Sequence, residues 1–249
     1  MSSYSSITIN DKNFLKRWIQ KRRLHDAIRI LDSLQLHRVR VLDYGGGDGE
    51  LIFRLASRHK HQWSLFEPSP QLRQEATNRL SSISDIAVYS STQQILSSHF
   101  EVIFCCEVLE HLPEEELNSA IAEIYRLLTT NGVAIIGVPI EIYIPAFAKG
   151  IFRMARRLGE FDAKLSTIIP AALGFPPKTR PLGEISSGLR YHFHHTGFDH
   201  RKLQLRFEKF FDIQSKAFSP LGVGGALMNS ELYFVLKKII VAPQNLPSN

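Results

Sequence analysis

The sequence predicts an α/β domain built on a doubly wound, mostly parallel sheet, and three observations carry that expectation. Short apolar runs of strand length alternate along the chain with amphipathic stretches of helix length. The first run, Val41-Leu42-Asp43, passes directly into a glycine turn that opens a helix, and a later one, Phe100 to Cys106, ends in the same manner at Glu107. With 249 residues, of which 44% are hydrophobic and 22% charged, the chain has the length for one substantial core and the composition of an ordinary globular protein.

In chain order, residues 11–36 read as one or two amphipathic helices, with Phe14, Leu15, Trp18, Ile19, Ile28, Leu31 and Leu34 facing inward. The first strand then leads into Gly45, Gly46, Gly47 and Gly49. Gly45 and Gly47 suit positive φ, and the missing Cβ lets backbone approach a ligand closely. Asp43, Asp48 and Glu50 surround this turn, and no Lys or Arg follows until Arg54, so a ligand bearing an ammonium group fits better than a pyrophosphate. The dinucleotide fingerprint would need glycine in place of Glu50, and the P-loop would need Gly-Lys-Ser/Thr; neither is present.

A second strand, Trp63 to Phe66, ends at the acid Glu67, and Pro68-Ser69-Pro70 starts the next helix with Ser69 as N-cap and Pro70 at the first helical position. Ile86 to Tyr89 is the third strand, followed by Ser90-Ser91-Thr92. The fourth, Phe100 to Cys106, runs into Glu107-Val108-Leu109-Glu110-His111-Leu112-Pro113, and a helix follows whose acids, Glu114 to Glu116, sit at the positive end of its dipole. Asn131-Gly132 ends that helix, and Val133 to Pro139 is the fifth strand.

These three motifs, in order and spacing over residues 38–140, resemble the class I S-adenosylmethionine-dependent methyltransferases of the small-molecule type. The resemblance implies a Rossmann-like seven-stranded sheet with an antiparallel last strand. It implies S-adenosyl-L-methionine as cofactor, bound by Asp43, Gly45, Gly46, Gly47 and Gly49 at the turn and by Glu67 and Pro68 at the ribose. Cys106 and Glu107 would also border the cofactor, with Glu107 beginning the loop beneath the methyl. A carboxylate at Glu67 has two acceptor oxygens and so can take both ribose hydroxyls. The family often places an Asp against the adenine after the third strand. Here that place holds Ser91 and Thr92, whose hydroxyls or carbonyls would have to accept instead.

One domain, 1–249, is expected: an N-terminal helical cap over the pocket (1–37), a cofactor-binding core (38–139), a lid or substrate insertion (140–195) and the C-terminal part of the sheet (196–241). The insertion is rich in proline and glycine and overhangs the carboxyl ends of the strands, where ligands bind in such sheets. Within it Phe147, Ile151, Met154 and Leu158 share one helical face, and Lys149, Arg153, Arg156 and Arg157 fall on the other. An ordinary lid helix with its basic side in water is the leading reading, and peripheral membrane contact through 147–158 is the other. Lys202 to Phe207 is the last helix, Phe211 to Phe218 and Glu231 to Lys237 are the closing strands, and 242–249 are expected to be loose.

Composition narrows the context. The sequence shows no secretory start and no 18-residue apolar stretch, so a cytoplasmic location is expected. Cys105 and Cys106 are adjacent on a strand, point to opposite faces and read as packing residues. The net charge of +6 gathers in clusters: Lys12 to Arg23, Lys149 to Arg157, and Arg190 with Arg201, Lys202 and Arg206. These read as solvated faces, and nucleic acid is not the expected partner.

Methyl transfer is an in-line displacement and needs position more than any one residue. A hydroxyl acceptor gains from a general base, for which His111, His194, His195 and Glu107 are the candidates. Strand alternation would put His192 and His194 on one face, Phe193 and His195 on the other. No metal site is expected, since Asp199 is the sole acid close by in sequence; Glu110 is a further candidate for chemistry, with a place in solvent as the other reading. The segment after Cys106 lacks the Asn/Asp-Pro-Pro-aromatic motif of the amino-methylating subfamilies, which favours O-methylation of a small-molecule acceptor. The alternatives are an RNA or protein methyltransferase using the basic patches, and a non-catalytic S-adenosylmethionine-binding regulatory subunit. Oligomeric state stays open.

Overall fold

Seven strands run in the order β3-β2-β1-β4-β5-β9-β8. They are β1 (Arg40–Tyr44), β2 (Gln62–Phe66), β3 (Ala87–Tyr89), β4 (Phe100–Cys106), β5 (Leu128–Pro139), β8 (Phe211–Ser219) and β9 (Glu231–Lys238). The computed structural model describes residues 14–186 and 188–239; the tail at 242–249 and the charges before Phe14 lie outside the described residues. The first five strands pair in parallel, while β9 pairs antiparallel with both β5 and β8, so β9 alone runs against the rest. Strand order reverses between β1 and β4, and at such a switch point a crevice opens beyond the carboxyl ends.

Side chains alternate across this sheet into two cores. Leu42, Ile103, Ala134, Ile136 and Phe234 pack against α4 (Glu114–Leu127) and α7 (His200–Phe207), through Ile121, Ile124, Leu203 and Phe207. Val41, Val102, Phe104, Ile135 and Tyr233 face the other way. They meet α1 (Phe14–Ser33), α2 (Glu50–Ala56) and α3 (Pro70–Leu80) through Ile28, Leu31, Ile52, Leu55 and Leu80. Burial on both faces explains why the strands read as continuous apolar runs.

The described side chains of α1, including Ala27, Ile28 and Leu31, seal one face of the sheet. The side chains of Phe14, Leu15, Trp18 and Ile19, on which the expected cover over the pocket depends, lie outside the described residues.

Three local expectations change. β5 begins at Leu128, directly after α4, and Asn131-Gly132 sit inside it, where the register against β4 jumps from Phe100↔Leu128 to Val102↔Val133. A Cβ on Gly132 would lie 3.0 Å from the Phe100 carbonyl, so the bulge needs glycine for close approach. The last helix starts at His200, because the Asp199 carboxylate caps it by accepting from the Arg201 N–H at 3.0 Å. The insertion carries its own hairpin, β6 (Gly183–Ser186) and β7 (Leu189–Tyr191), and residues 192–195 leave it as irregular chain, so strand alternation does not govern the histidines.

The insertion helix α5 (Tyr143–Arg157) packs on α6 (Leu165–Ala172), with Gly150 against Ile168. Two of its four cations turn inward, while Arg156 and Arg157 stay exposed. Lys149 donates to Glu141 at 2.9 Å and to the Ile140 and Ser230 carbonyls, and Arg153 donates to Glu141 at 3.1 Å and to Thr196 at 2.7 Å. The apolar side faces out, with Ile144 62%, Phe147 49% and Leu158 77% exposed. The expected arrangement, basic side in water, is therefore reversed for Lys149 and Arg153, because the buried carboxylates of Glu141 and Asp162 attract them more than the core attracts their neighbours. Among the described residues, no helix is long and apolar enough to cross a membrane.

Candidate active site

The glycine turn is pinned to the neighbouring strand end: the N–H groups of Gly45 and Gly46 both donate to the Phe66 carbonyl, at 2.8 and 3.2 Å. Gly47 has φ +55, and a Cβ built there would have nothing within 4 Å, so its bare backbone borders open space. Gly46 is different: a Cβ there would sit 2.7 Å from an Asp43 carboxylate oxygen. One glycine exposes the turn to a ligand, and the other makes room for the acid beneath it.

Glu67 is buried and held on both oxygens, accepting from the Gly47 N–H at 3.0 Å and from the Ser69 N–H at 2.8 Å. Each oxygen keeps lone-pair capacity for a further donor. Burial pushes its pKa up, and the two N–H bonds and Arg73 pull against that. Asp43 lies one strand over, 4% exposed. Burial, and then the charges of Glu67 and Asp48, push it up to about 7. No cation is paired with Asp43 among the described residues.

The other acids of the turn do not share this state. Arg79 donates to Asp48 at 2.9 Å and also pairs with Glu50, which accepts from Arg54 at 2.6 Å as well. Arg79 comes from the far end of α3, so the expectation of an all-acidic turn is corrected: Asp48 and Glu50 are neutralised, and Asp43 and Glu67 remain. A deep carboxylate without a cation, beside glycine backbone that borders open space, fits a ligand carrying an ammonium and hydroxyl donors.

Beyond β3, the Ser91 hydroxyl accepts from the Gln93 N–H at 3.3 Å and caps a 3₁₀ turn, while the Thr92 carbonyl accepts from Arg126 at 2.9 Å. Both groups thus already serve the local turn. Pro68 is half-buried, and its carbonyl accepts from Arg73 at 3.0 Å. Cys106 closes β4, and like the buried Cys105 it is a free thiol. Glu107 takes φ +58, a left-handed conformation that costs a residue with a side chain roughly 1–2 kcal/mol. Its N–H, donating to Gly137 at 2.9 Å, ties it to β5.

The 3₁₀ turn after Glu107 buries Glu110 completely, which corrects its placement in solvent. His111 follows, 7% exposed and stacked on Tyr191 with ring centroids 4.2 Å apart. Its Nδ1 lies 2.7 Å from the His192 carbonyl, which can only accept, so Nδ1 carries the proton. Its Nε2 faces the Nε2 of His195 at 3.1 Å. Burial lowers the pKa of His111 and takes His195 down to about 3. The charge of Glu107 acts on both rings in the opposite sense. His111, His195 and Glu107 therefore come together, across more than eighty residues of chain, at the carboxyl end of β4. His194 does not join them: its Nδ1 lies 3.3 Å from Asp162, and its ring meets Phe161. Arg180 bridges the two halves by donating to the His194 carbonyl at 2.6 Å.

Residues 41–132 match the family model described as methyltransferase domain. Those residues are a methyltransferase domain. The match runs from β1 into β5 and takes in Asp43, Glu67 and His111, while residues 140–195 lie outside it. No curated protein sequence matches the chain. Among solved structures, a protein of Pyrococcus horikoshii shares 15% identity over 95% of this chain and 96% of its own, with a TM-score of 0.60. The 1,6-didemethyltoxoflavin-N1-methyltransferase of Burkholderia thailandensis, solved with 1,6-didemethyltoxoflavin and S-adenosylhomocysteine, shares 13% over 96% and 91%, with a TM-score of 0.55. The N-methyltransferase NodS of Bradyrhizobium japonicum, solved with S-adenosylhomocysteine, shares 16% over 92% and 89%, also at 0.55. At these identities what is common is the fold, a Rossmann-like α/β sheet with one antiparallel strand.

Sequence reasoning missed Arg79 and Glu141 around the methyltransferase domain. Glu141 is 1% exposed; burial alone would raise it, but Lys149 and Arg153 hold it well below the usual carboxylate range. An acid directly after the fifth strand, followed by cations spaced four apart at 149 and 153, was the available signal.

Proposed function

We propose that the methyltransferase domain takes its methyl from S-adenosyl-L-methionine and delivers it to a hydroxyl of a small biosynthetic molecule held beneath residues 140–195. The observation that carries the cofactor half is Asp43: a carboxylate buried at the switch point, unmatched by a cation among the described residues while its neighbours Asp48 and Glu50 share Arg79. An ammonium placed there would supply the missing charge. Gly45, Gly46, Gly47 and Gly49 let the methionyl part lie against backbone, and Glu67, already oriented by two N–H groups, accepts the ribose hydroxyls. Pro68, Ser91 and Thr92 would border the adenosine, with main-chain acceptors as the available partners. The cofactor supplies a methyl on a sulfonium, displaced in line by the acceptor.

On the acceptor side, Cys106 and Glu107 end β4, and His111 with His195 stands under the lid, where a hydroxyl can be oriented and relieved of its proton. The absence of the Asn/Asp-Pro-Pro-aromatic grip after β4 supports oxygen over an amino nitrogen. Calorimetry decides the cofactor: adenosylhomocysteine should bind and NADH should not, and the reverse result sinks the reading. Mass spectrometry of products from a panel of phenols, hydroxy acids and amines separates O- from N-methylation. His195→Ala is expected to lower kcat by roughly 10²- to 10⁴-fold with the cofactor affinity unchanged.

A second reading concerns location. The outward apolar side of α5, with Ile151 44% exposed beside Phe147 and Leu158, supports peripheral contact with a lipid surface through residues 147–158. Sedimentation with anionic vesicles tests it, and loss of protein from the supernatant is the expected result.

A further inference from the structure

We propose that Glu110, His111 and His195 hold a divalent transition-metal ion at the carboxyl end of β4. One potential ligand atom from each of the three lies within 4.8 Å of the other two. The Nε2 atoms of His111 and His195 are 3.1 Å apart, and Glu110 Oε1 is 3.6 Å from the same His111 nitrogen. Two atoms that each stand about 2.1 Å from one ion are separated by roughly 3.0–3.6 Å at ordinary coordination angles, so these spacings are those of neighbouring ligands.

The orientation of the rings separates a metal from a simple hydrogen bond. His111 Nδ1 must donate to the His192 carbonyl, which leaves Nε2 as a lone pair. A hydrogen bond between the rings would then require the proton of His195 on its Nε2, and its Nδ1 lone pair would point toward the Glu141 carboxylate, 3.9 Å away. With an ion between the rings both Nε2 lone pairs are used, and each Nδ1–H faces an oxygen: a carbonyl for His111 and a carboxylate for His195. That is the outer-shell pattern that fixes imidazole ligands. Nearby Glu107 adds a negative charge that acts on both rings.

Two imidazoles and one carboxylate make a borderline donor set suited to zinc, manganese or iron rather than calcium. Three protein ligands leave a position open, as in sites that act on substrate. There an acceptor hydroxyl would bind through its oxygen, and its proton would pass to solvent more readily as the oxygen takes the methyl. This last step rests on the methyl-transfer reading, whereas the site itself does not. The other convergent group, Glu160, Asp162 and His194, is less suited, because Arg153 and Arg157 already pair with Asp162.

The test uses the full chain, stripped with a chelator and titrated with zinc or manganese chloride. Elemental analysis should give one ion per chain, and cobalt(II) in its place should show ligand-field absorption of a nitrogen and oxygen site. His195→Ala, at a half-buried position, should weaken affinity at least 100-fold, and His194→Ala should not. Glu110→Gln is a second variant, read only after circular dichroism shows a folded protein, and it should weaken binding by at least tenfold. No stoichiometric ion in the wild type, unchanged affinity in His195→Ala, or equal loss in His194→Ala overturns the proposal. Adenosylhomocysteine binding by the stripped protein reports the glycine-turn pocket separately. Its survival without a metal site would sink this inference alone, and its absence beside a filled metal site would sink the methyl-transfer reading alone.

Discussion

At the glycine turn, Arg79 pairs with Asp48 and Glu50 and leaves Asp43 to its acidic neighbours, whereas beneath helix α5 Lys149 and Arg153 both converge on Glu141. The two carboxylates are almost equally buried, at 4% and 1% exposure, yet Asp43 is pushed up to about 7 and Glu141 is held well below the usual range. Burial therefore does not decide the state of an acid here; the partner does. A buried acid that the chain satisfies is a structural anchor, and on the proposed function one that it leaves without a cation is where a ligand's positive charge would sit.

The largest effect expected from this contrast is on the anchored side. Glu141→Ala strands two cations under the lid and should cost about 3–5 kcal/mol, read as a fall in unfolding free energy in urea. A loss under 1 kcal/mol would show that the lid does not depend on the pairing. Next comes Glu67→Ala, which should weaken adenosylhomocysteine binding by about 1.5–3 kcal/mol while leaving the fold intact, checked by calorimetry and circular dichroism.

A smaller effect is the pH response of Asp43. In the free protein its carboxyl is pushed up to about 7, and an ammonium beside it would favour the ionised form, so binding below that pH releases a proton. Affinity for adenosylhomocysteine should rise from pH 5 to pH 7, by at most about tenfold per unit, and level off above. In Asp43→Asn that slope should vanish; a wild type with no slope would place the ammonium elsewhere. Least of all, Ile151→Ser on the outer face of α5 should change stability by no more than about 0.5 kcal/mol. If it nevertheless abolishes sedimentation with anionic vesicles, the exposed face is a contact surface and not a packing defect.

The same contrast explains what could be read from the chain alone. The turn from Val41 to Glu50, the acid at Glu67 and the run from Phe100 to His111 are local patterns, in which neighbouring residues fix the backbone and carry the family resemblance. The seven-stranded sheet was expected from the resemblance that these motifs carry. What the sequence hid was pairing over distance. Nothing near Glu50 announces Arg79, and nothing near Glu110 announces His195, because each partner arrives by tertiary packing. The lid helix shows a different limit. Its two faces were legible from helical spacing, but spacing does not say which face turns inward, and the pull of Glu141 on Lys149 and Arg153 reversed the usual answer. The histidines at 192–195 were assigned an alternation that applies to strands, and the chain there is irregular.

The position of β9 carries a consequence for biogenesis. Its buried residues, Glu231 to Leu236, slot between β5 and β8, although it is the last of the seven strands to be synthesised. A nascent chain on the ribosome can assemble the first five strands as they emerge, but β8 has no neighbour to zip onto until β9 clears the exit tunnel. Until then β5 presents a naked edge that other chains could capture, so premature termination before Glu231 should yield aggregates rather than a smaller folded protein.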